Sequence, residues 1–302
     1  MKSKYTVIIG VPAHNEGRNI ELLLKSILKQ KLNNIVISKI IIVSDGSTDD
    51  TEKKVKLFKD PRVVLIVNNK RLGLNKSQNL ILRKSNADIL VFLDGDILPT
   101  SNYFIQNLVS PILVNKNIGI VAGDNIAVFQ KTFFGSLIKF SHELKIDIFK
   151  QINRCNNVYL CFGRARAFSK SFYSNFNWPE DVPEDAYSYF ECIHRNLSFY
   201  HTDKASVYFS VPRTLNDYIK QSLRFFSGRK KLEKFFSPNS IKREYSIPFL
   251  VKIRIIAKNI IYRPGYLSAY MILVLAMRII SFKTRIESSK YEPSNTTKSL
   301  YE

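Results

Sequence analysis

The sequence is poor in sulfur and in negative charge. Only three cysteines occur in 302 residues, Cys155, Cys161 and Cys192. Their number is odd and no two form a CxxC pair. That pattern argues against a disulfide framework or a zinc site, and a reducing, cytosolic environment fits. Four histidines, His14, His142, His194 and His201, are scattered without metal-ligand spacing and are read as structural or exposed. Internal repeats and low-complexity tracts are missing, apart from a polar tail over 288–302. Long hydrophobic runs are missing as well. The apolar run at 5–9, behind Lys2 and Lys4, is too short for a signal peptide and carries no cleavage site. It reads as a first strand. The uncharged run at 264–277 falls short of the about 20 apolar residues that a spanning helix needs.

Acidic residues are outnumbered, 25 against 46 Lys and Arg, for a formal net charge of +21. That balance favours anionic partners: nucleic acid, phosphates or acidic lipid headgroups. It is uneven, because 213–290 holds 17 Lys/Arg against 4 Asp/Glu, or +13 of the +21. The remaining composition, 45% hydrophobic and 24% charged, is that of a globular chain. Its length holds one large domain or one and a half.

The chain is organised around Leu90-Val91-Phe92-Leu93-Asp94-Gly95-Asp96. An apolar run from Ile89 reads as a strand buried on both faces, as in a parallel sheet. It ends in two carboxylates, where open α/β sheets place ligands. Gly95 permits a bend and close approach. Hard oxygen ligands of this kind suit Mg²⁺ or Mn²⁺ shared with a diphosphate. A polar turn after a strand is the alternative.

Ahead of it lie a strand at 5–11, the loop Pro12-Ala13-His14-Asn15-Glu16-Gly17, and a helix with Ile20, Leu23, Leu24, Ile27 and Leu28 at helical spacing. A second strand at 39–44 leads into Asp45-Gly46-Ser47-Thr48-Asp49-Asp50-Thr51, with Ser47 or Thr48 as the expected cap of the next helix. A third strand at 63–67 leads into Asn68-Asn69-Lys70-Arg71-Leu72-Gly73, with Asn75 expected to cap a helix through Leu82. Strands alternating with helices imply a parallel α/β sheet with right-handed crossovers. The polar clusters then share one edge, so Asp45 and the Asp94/Asp96 pair converge on one cleft.

Val11-Pro12-Ala13-His14-Asn15-Glu16, then Ile42-Val43-Ser44-Asp45-Gly46-Ser47-Thr48-Asp49-Asp50-Thr51, then Leu93-Asp94-Gly95-Asp96 resemble the family 2 glycosyltransferases of the GT-A fold. The resemblance covers roughly residues 5–230. It implies an α/β, Rossmann-like, mixed and mainly parallel sheet flanked by helices, and a hexosyltransferase that uses a nucleoside-diphosphate sugar. By matched position, Asp45 would hydrogen-bond the nucleotide base, and Pro12, Ala13 and Glu16 would line its pocket. Asp94 and Asp96 form the DxD motif, with Asp94 on ribose or metal and Asp96 on Mg²⁺ or Mn²⁺. Arg71, Gly73 and Asn79 match a region that packs against the nucleotide. Asp49 reads equally as a helix N-terminal charge and as a ligand contact.

The second half builds the acceptor side. A strand is expected at 118–124, an amphipathic helix at 132–151, and a strand at 158–163 leading into Arg164 and Arg166. These arginines read equally as acceptor contacts and as surface charge. Glu184-Asp185 opens a helix running to about His194. Acids at a helix start are common, but this pair resembles the family's ED motif, which makes Asp185 the general base of an inverting transfer. Such a base must face the acceptor hydroxyl, opposite the leaving diphosphate. Asp181 is a nearby competitor whose surroundings match nothing. Two short strands, 197–201 and 205–209, precede a helix at 214–234. There Gln221, Arg224 and Phe225 resemble the QxxRW motif with Phe in place of Trp, on the acceptor or diphosphate side with Glu184. The exchange keeps an aromatic face but loses the indole N–H.

Three parts are expected: 1–235 as the GT-A domain (1–100 for the donor, 101–235 for the acceptor), 236–287 as a basic, apolar, helical membrane-associated extension, and the tail. The extension either lies in the interface or spans once over about 264–280. The whole then reads as a metal-dependent, inverting glycosyltransferase on the cytoplasmic face of a membrane, acting on a lipid-linked or polysaccharide acceptor. A polyprenyl-phosphate sugar synthase is the near alternative. A scaffold without chemistry and a basic nucleic-acid binder are the distant ones, and no nucleic-acid motif supports the last.

Overall fold

A computed structural model of the chain describes residues 4–283, except for the side chains of Arg224, Phe226, Ser227 and 281–283. The polar tail and residues 284–287 of the basic extension lie outside the described residues, as does the Arg224 side chain. The chain divides into two units. The first holds residues 4–126 and 158–209, the second 127–157 and 210–283.

The first unit follows the alternation of the sequence. Strands β1 (Tyr5–Ala13), β2 (Ile35–Asp45), β3 (Val63–Asn68) and β4 (Ile89–Leu93) are separated by helices α1 (Ile20–Leu28), α2 (Thr51–Lys56) and α3 (Leu74–Arg83). Then come β5 (Ile97–Pro99), α4 (Phe104–Val114) and β6 (Ile118–Ala127). The second unit contributes α5 (Phe133–Phe149), and the chain returns with β7 (Ala165–Ser169), α6 (Lys170–Tyr173), α7 (Glu184–His194) and β8 (Ser198–Phe209). The eight strands form one sheet in the order β3-β2-β1-β4-β7-β6-β8-β5.

The first four strands pair in parallel, as their crossover helices require, and β7 runs antiparallel to β4. The sheet is thus mixed. All five residues of β4 are buried, which is why its sequence is a continuous apolar run and not an alternation. The antiparallel register places Leu93 opposite Ala165 and Phe92 opposite Arg166. The end of β4 therefore meets the start of β7, and the Asp94 N–H donates to the Arg164 carbonyl at 3.0 Å.

Several local expectations shift. Residues 158–160 form a turn of 3₁₀ helix, and the strand starts later, at Ala165. The two short strands before residue 209 are one strand of 12 residues. Neither Ser47 nor Thr48 caps α2; Asp50 takes the N-cap position without a side-chain cap bond. Asn75 lies inside α3, which starts behind Gly73 at φ 100°.

In the second unit, α5 and α8 (Leu215–Leu232) are capped by Thr132 and Thr214, each accepting a backbone N–H three residues on. They are followed by α9 (Pro238–Glu244), α10 (Phe249–Tyr262) and α11 (Pro264–Lys283). Leu137, Phe140 and Leu144 of α5 pack with Ile255 of α10 and with Leu267 and Tyr270 of α11. Among the described residues no helix is long and apolar enough to cross a membrane. The single span over 264–280 is therefore not met by α11, a helix of 20 residues that carries Arg278.

Candidate active site

Three loops leave the C-terminal ends of β1, β2 and β4 and are tied to one another. His14 Nδ1 lies 2.8 Å from the Asp45 carbonyl oxygen, the Asn15 N–H donates to Ser47 Oγ, and the Thr48 N–H donates to Asn15 Oδ1. The Gly17 N–H donates to Asp49 Oδ2 and the Glu16 N–H to Thr51 Oγ1. Asp49 also accepts the Thr51 N–H and hydroxyl, so it joins the two loops. Pro12, Ala13 and Glu16 are buried beside this junction. A Cβ on Gly95 would lie 2.6 Å from Glu16 Cγ. The glycine of Asp94-Gly95-Asp96 is thus the surface on which the Glu16 side chain rests.

Asp45, 4% exposed, acts on the loop after β3. Its Oδ1 accepts from Asn68 Nδ2 at 3.0 Å and from the Leu72 N–H at 2.8 Å, and its Oδ2 from the Gly73 N–H at 2.8 Å. Three of about four lone-pair sites are filled by the chain's own donors. The same loop crosses Gly46, whose Cβ would lie 2.5 Å from the Arg71 nitrogen and whose φ is +64°. Arg71 is exposed on that loop.

On the other side of β4, acids and arginines gather. Asp94 retains some solvent contact. Desolvation by its surroundings, then the charges of Asp96 and Glu184, hold its carboxyl well above the usual carboxylate range, while Arg164 and Arg166 oppose the rise. Glu184 Oε1 would lie 2.4 Å from a Cβ on Gly163. Any larger residue at 163 would meet that carboxylate. Arg164 lies over the Phe209 ring at 3.8 Å. Asp185, in the first turn of α7, accepts the Ala186 N–H through Oδ1, and Asp181 is exposed in a left-handed turn at φ 62°.

Arg166 is not surface charge: it is fully buried. Its Nη1 donates to the Glu184 carbonyl at 3.3 Å and to Ser188 Oγ at 2.7 Å. Its Nε and Nη2 have no hydrogen-bond partner among the described residues. A guanidinium is thus held behind the first turn of α7, next to the acidic cluster.

Sequence reasoning missed how that turn is held. Trp178, 1% exposed, donates from Nε1 to the Glu184 carbonyl at 2.8 Å. Asn79 accepts the Trp178 N–H and donates to the Trp178 carbonyl. Asn75 donates to the carbonyls of Pro179 and Val182. Asn75 and Asn79 together therefore clamp residues 178–182. The signal was present: two Asn four apart share one helix face.

Gln221 and Phe225 lie on α8 of the second unit, Phe225 exposed.

The acid set fits a hard divalent cation. Carboxylates that repel one another and are partly desolvated are stabilised by a cation that only oxygen ligands hold. Among the described residues no group of three or more His, Cys, Asp or Glu is placed to hold an ion alone. Mg²⁺-type sites commonly use one or two carboxylates and take further oxygens from substrate phosphates.

The sequence model for "Glycosyl transferase family 2" matches residues 8–176. An Escherichia coli UDP-Glc:alpha-D-GlcNAc-diphosphoundecaprenol beta-1,3-glucosyltransferase, WfgD, is 26% identical over 192 residues, 64% of this chain and 71% of that protein. Glucosyl-3-phosphoglycerate synthase of Mycobacterium tuberculosis is 31% identical over 125 residues, 40% of this chain and 38% of its own length. Among solved structures, a Pyrobaculum calidifontis mannosyltransferase in complex with GDP-Man and Mn²⁺ superposes with a TM-score of 0.58 at 18% identity. It covers 92% of this chain and 76% of its own. The mycobacterial synthase with Mn²⁺ and UDP-Glc gives 0.55 at 19% identity, covering 76% and 78%.

Proposed function

The chain belongs to glycosyltransferase family 2, and from that premise we propose a metal-dependent, inverting transfer of a sugar from a nucleoside diphosphate to a lipid-linked or polysaccharide acceptor. The chain is a glycosyltransferase of GT-A fold. The observation that carries the finer reading is the gathering of Asp94, Asp96 and Glu184 at the end of β4, beside glycines that leave room there. The donor classes follow the relatives, one named for UDP-glucose and one solved with GDP-mannose.

In this reading the nucleotide lies on Pro12, Ala13 and Glu16, with Asp45 shaping the 68–73 loop beneath the base and Arg71 at its rim. Asp96, with Asp94, holds Mg²⁺ or Mn²⁺. Bound there, such an ion offsets the negative charge that develops on the leaving diphosphate. Asp185 takes the proton of the acceptor hydroxyl as that oxygen bonds to the anomeric carbon. The bond from that carbon to the phosphate oxygen breaks, and the nucleoside diphosphate departs from the opposite face. Arg166 and Trp178 fix the carbonyl of Glu184 and hence the turn that presents Asp185. Gln221, Arg224 and Phe225 are assigned to the acceptor or diphosphate side by their motif. The enzyme works at the cytoplasmic face of a membrane as a peripheral protein. Residues 1–235 carry the chemistry and 236–287 the attachment.

The test is thermal stability of the purified protein with UDP, GDP, TDP and CDP, each with Mn²⁺, Mg²⁺ or EDTA. A ligand that binds only the folded state raises the melting temperature. A rise with one nucleotide that requires metal and is lost in Asp96→Ala supports the reading. Absence of any rise in folded protein favours a fold without chemistry.

A further inference from the structure

We infer that α10 and α11 form a membrane-docking face that lies in the interface of an anionic bilayer without crossing it. From Tyr245 to Lys283 the sequence has no Asp or Glu, and six Lys/Arg: Lys252, Arg254, Lys258, Arg263, Arg278 and Lys283. At about 100° per residue, Phe249, Leu250, Ile253, Ile256, Ile260 and Ile261 fill one side of α10, and all are exposed. Lys252 borders that sector on one side, Arg254 and Lys258 on the other. Ile255 and Asn259 point the opposite way and are buried. Helix α11 repeats the scheme: Met271, Ile272, Leu275 and Ile279 are exposed, while Leu267, Tyr270 and Met277 are buried.

Each helix thus spends one face on the unit's own core and leaves a second apolar face in the open. Exposed apolar faces of this size are rare on monomeric soluble proteins. What distinguishes the possible occupants is charge. A second copy of this chain would bring the same cations against themselves, whereas anionic headgroups complement a rim of Lys and Arg around an apolar sector. Lys258 lies 3.5 Å from Asp147 and Arg263 2.7 Å from Glu143, both on α5. Lys252 and Arg254 are therefore the residues on which the charge test falls. Interfacial burial also reconciles the strongly apolar helices with the absence, among the described residues, of one able to span a bilayer.

This deepens the proposed function by naming its membrane partner, and rests on it only in that a lipid-linked acceptor would lie at the same surface. The experiment is sedimentation of the full chain with vesicles of phosphatidylcholine, alone or with roughly 30 mol% phosphatidylglycerol, a composition that supplies the anionic surface. The expected result is binding to the anionic vesicles that weakens with salt. Lys252→Gln with Arg254→Gln should lower the partition coefficient about 25-fold, at roughly fivefold per charge. Ile253→Asp with Ile260→Asp should lower it at least a hundredfold. Both pairs sit on exposed positions, and an unchanged circular dichroism spectrum and nucleotide-dependent melting shift establish that the fold is kept. Failure of the wild type to bind, equal binding to neutral vesicles, or binding insensitive to both pairs overturns the inference. So does concentration-dependent dimerisation abolished by the isoleucine pair without vesicle binding. Vesicle binding without sugar transfer to a lipid-linked acceptor leaves the docking face standing and overturns the acceptor assignment.

Discussion

Replacing Asp45 by Asn separates two uses of one side chain. An acid that only contacts a nucleotide base would leave the ligand-free protein unaffected when changed. Here the carboxylate already accepts three hydrogen bonds from residues 68, 72 and 73. In Asp45→Asn the amide oxygen can keep the place of Oδ1 and its two donors. The amide NH₂ then faces the Gly73 N–H, a donor against a donor. One charge-assisted bond is lost and a half-buried N–H is left unpaired, at a cost of about 2–3 kcal/mol. For a domain of this size that is a fall of roughly 4–12 °C in melting temperature, measured without nucleotide by differential scanning calorimetry. The 68–73 loop should also become a site of limited proteolysis. An unchanged melting temperature together with lost nucleotide binding would refute the reasoning, because Asp45 would then serve the ligand alone.

Further outcomes are expected elsewhere. Asp185→Asn abolishes sugar transfer while metal-dependent nucleotide binding persists; full activity in a radiolabelled-donor assay sinks the assignment of the base. Asn79→Ala unpairs the N–H of buried Trp178, leaves its carbonyl only the Asn177 amide at 3.3 Å, and destabilises by about 1–3 kcal/mol in urea titration; an unchanged stability contradicts the clamp. Burial pushes the Cys161 thiol up to about 12 and also raises that of Cys192, whereas Cys155 is half-buried. Iodoacetamide at about pH 8, below the usual thiol pKa, should therefore label Cys155 in native protein and all three cysteines in urea, read by peptide mass spectrometry. Asp88 accepts the N–H and hydroxyl of Thr6, which hold its carboxyl below the usual range. Its stabilisation is complete above the unfolded carboxylate range, is lost as pH falls through the lowered folded value, and is modest because the pair is exposed. Asp88→Asn should flatten the acid limb of the stability curve between about pH 5 and 2.

The donor half was legible because its signals are local. Apolar runs closed by Asp-Gly or Pro-Ala-His-Asn-Glu fix both the strands and the edge to which their ends belong. The long strand β8 was harder, since Thr202, Asp203 and Lys204 in its middle look like a break. Pairing with neighbouring strands overrides that weak propensity. The surface-charge alternative for Arg166 failed for a similar reason. An arginine in sequence reads as exposed, and only the register against Phe92 and Ala122 places it inside the sheet. The clamp on residues 178–182 was half legible: Asn75 and Asn79 share one helix face, but their partners lie about a hundred residues on and no periodicity announces that pairing. The motif at 221–225 was legible as a pattern, but a spacing on one helix says nothing of what it faces.

The division of the chain carries a consequence for its synthesis. Within the described residues the polypeptide passes between the two units three times, at 126, 157 and 209. Helix α5 leaves the ribosome more than a hundred residues before α10 and α11, against which Leu137, Phe140 and Leu144 pack. Until those helices emerge, the nascent chain carries an apolar strip without the α10 and α11 side chains that pack on it in the finished fold. A message truncated after Glu244 would leave it so permanently. Such a fragment would keep every carboxylate of the candidate active site and still be a client for chaperones, so shortened expression products ending between α9 and α10 should accumulate as aggregates.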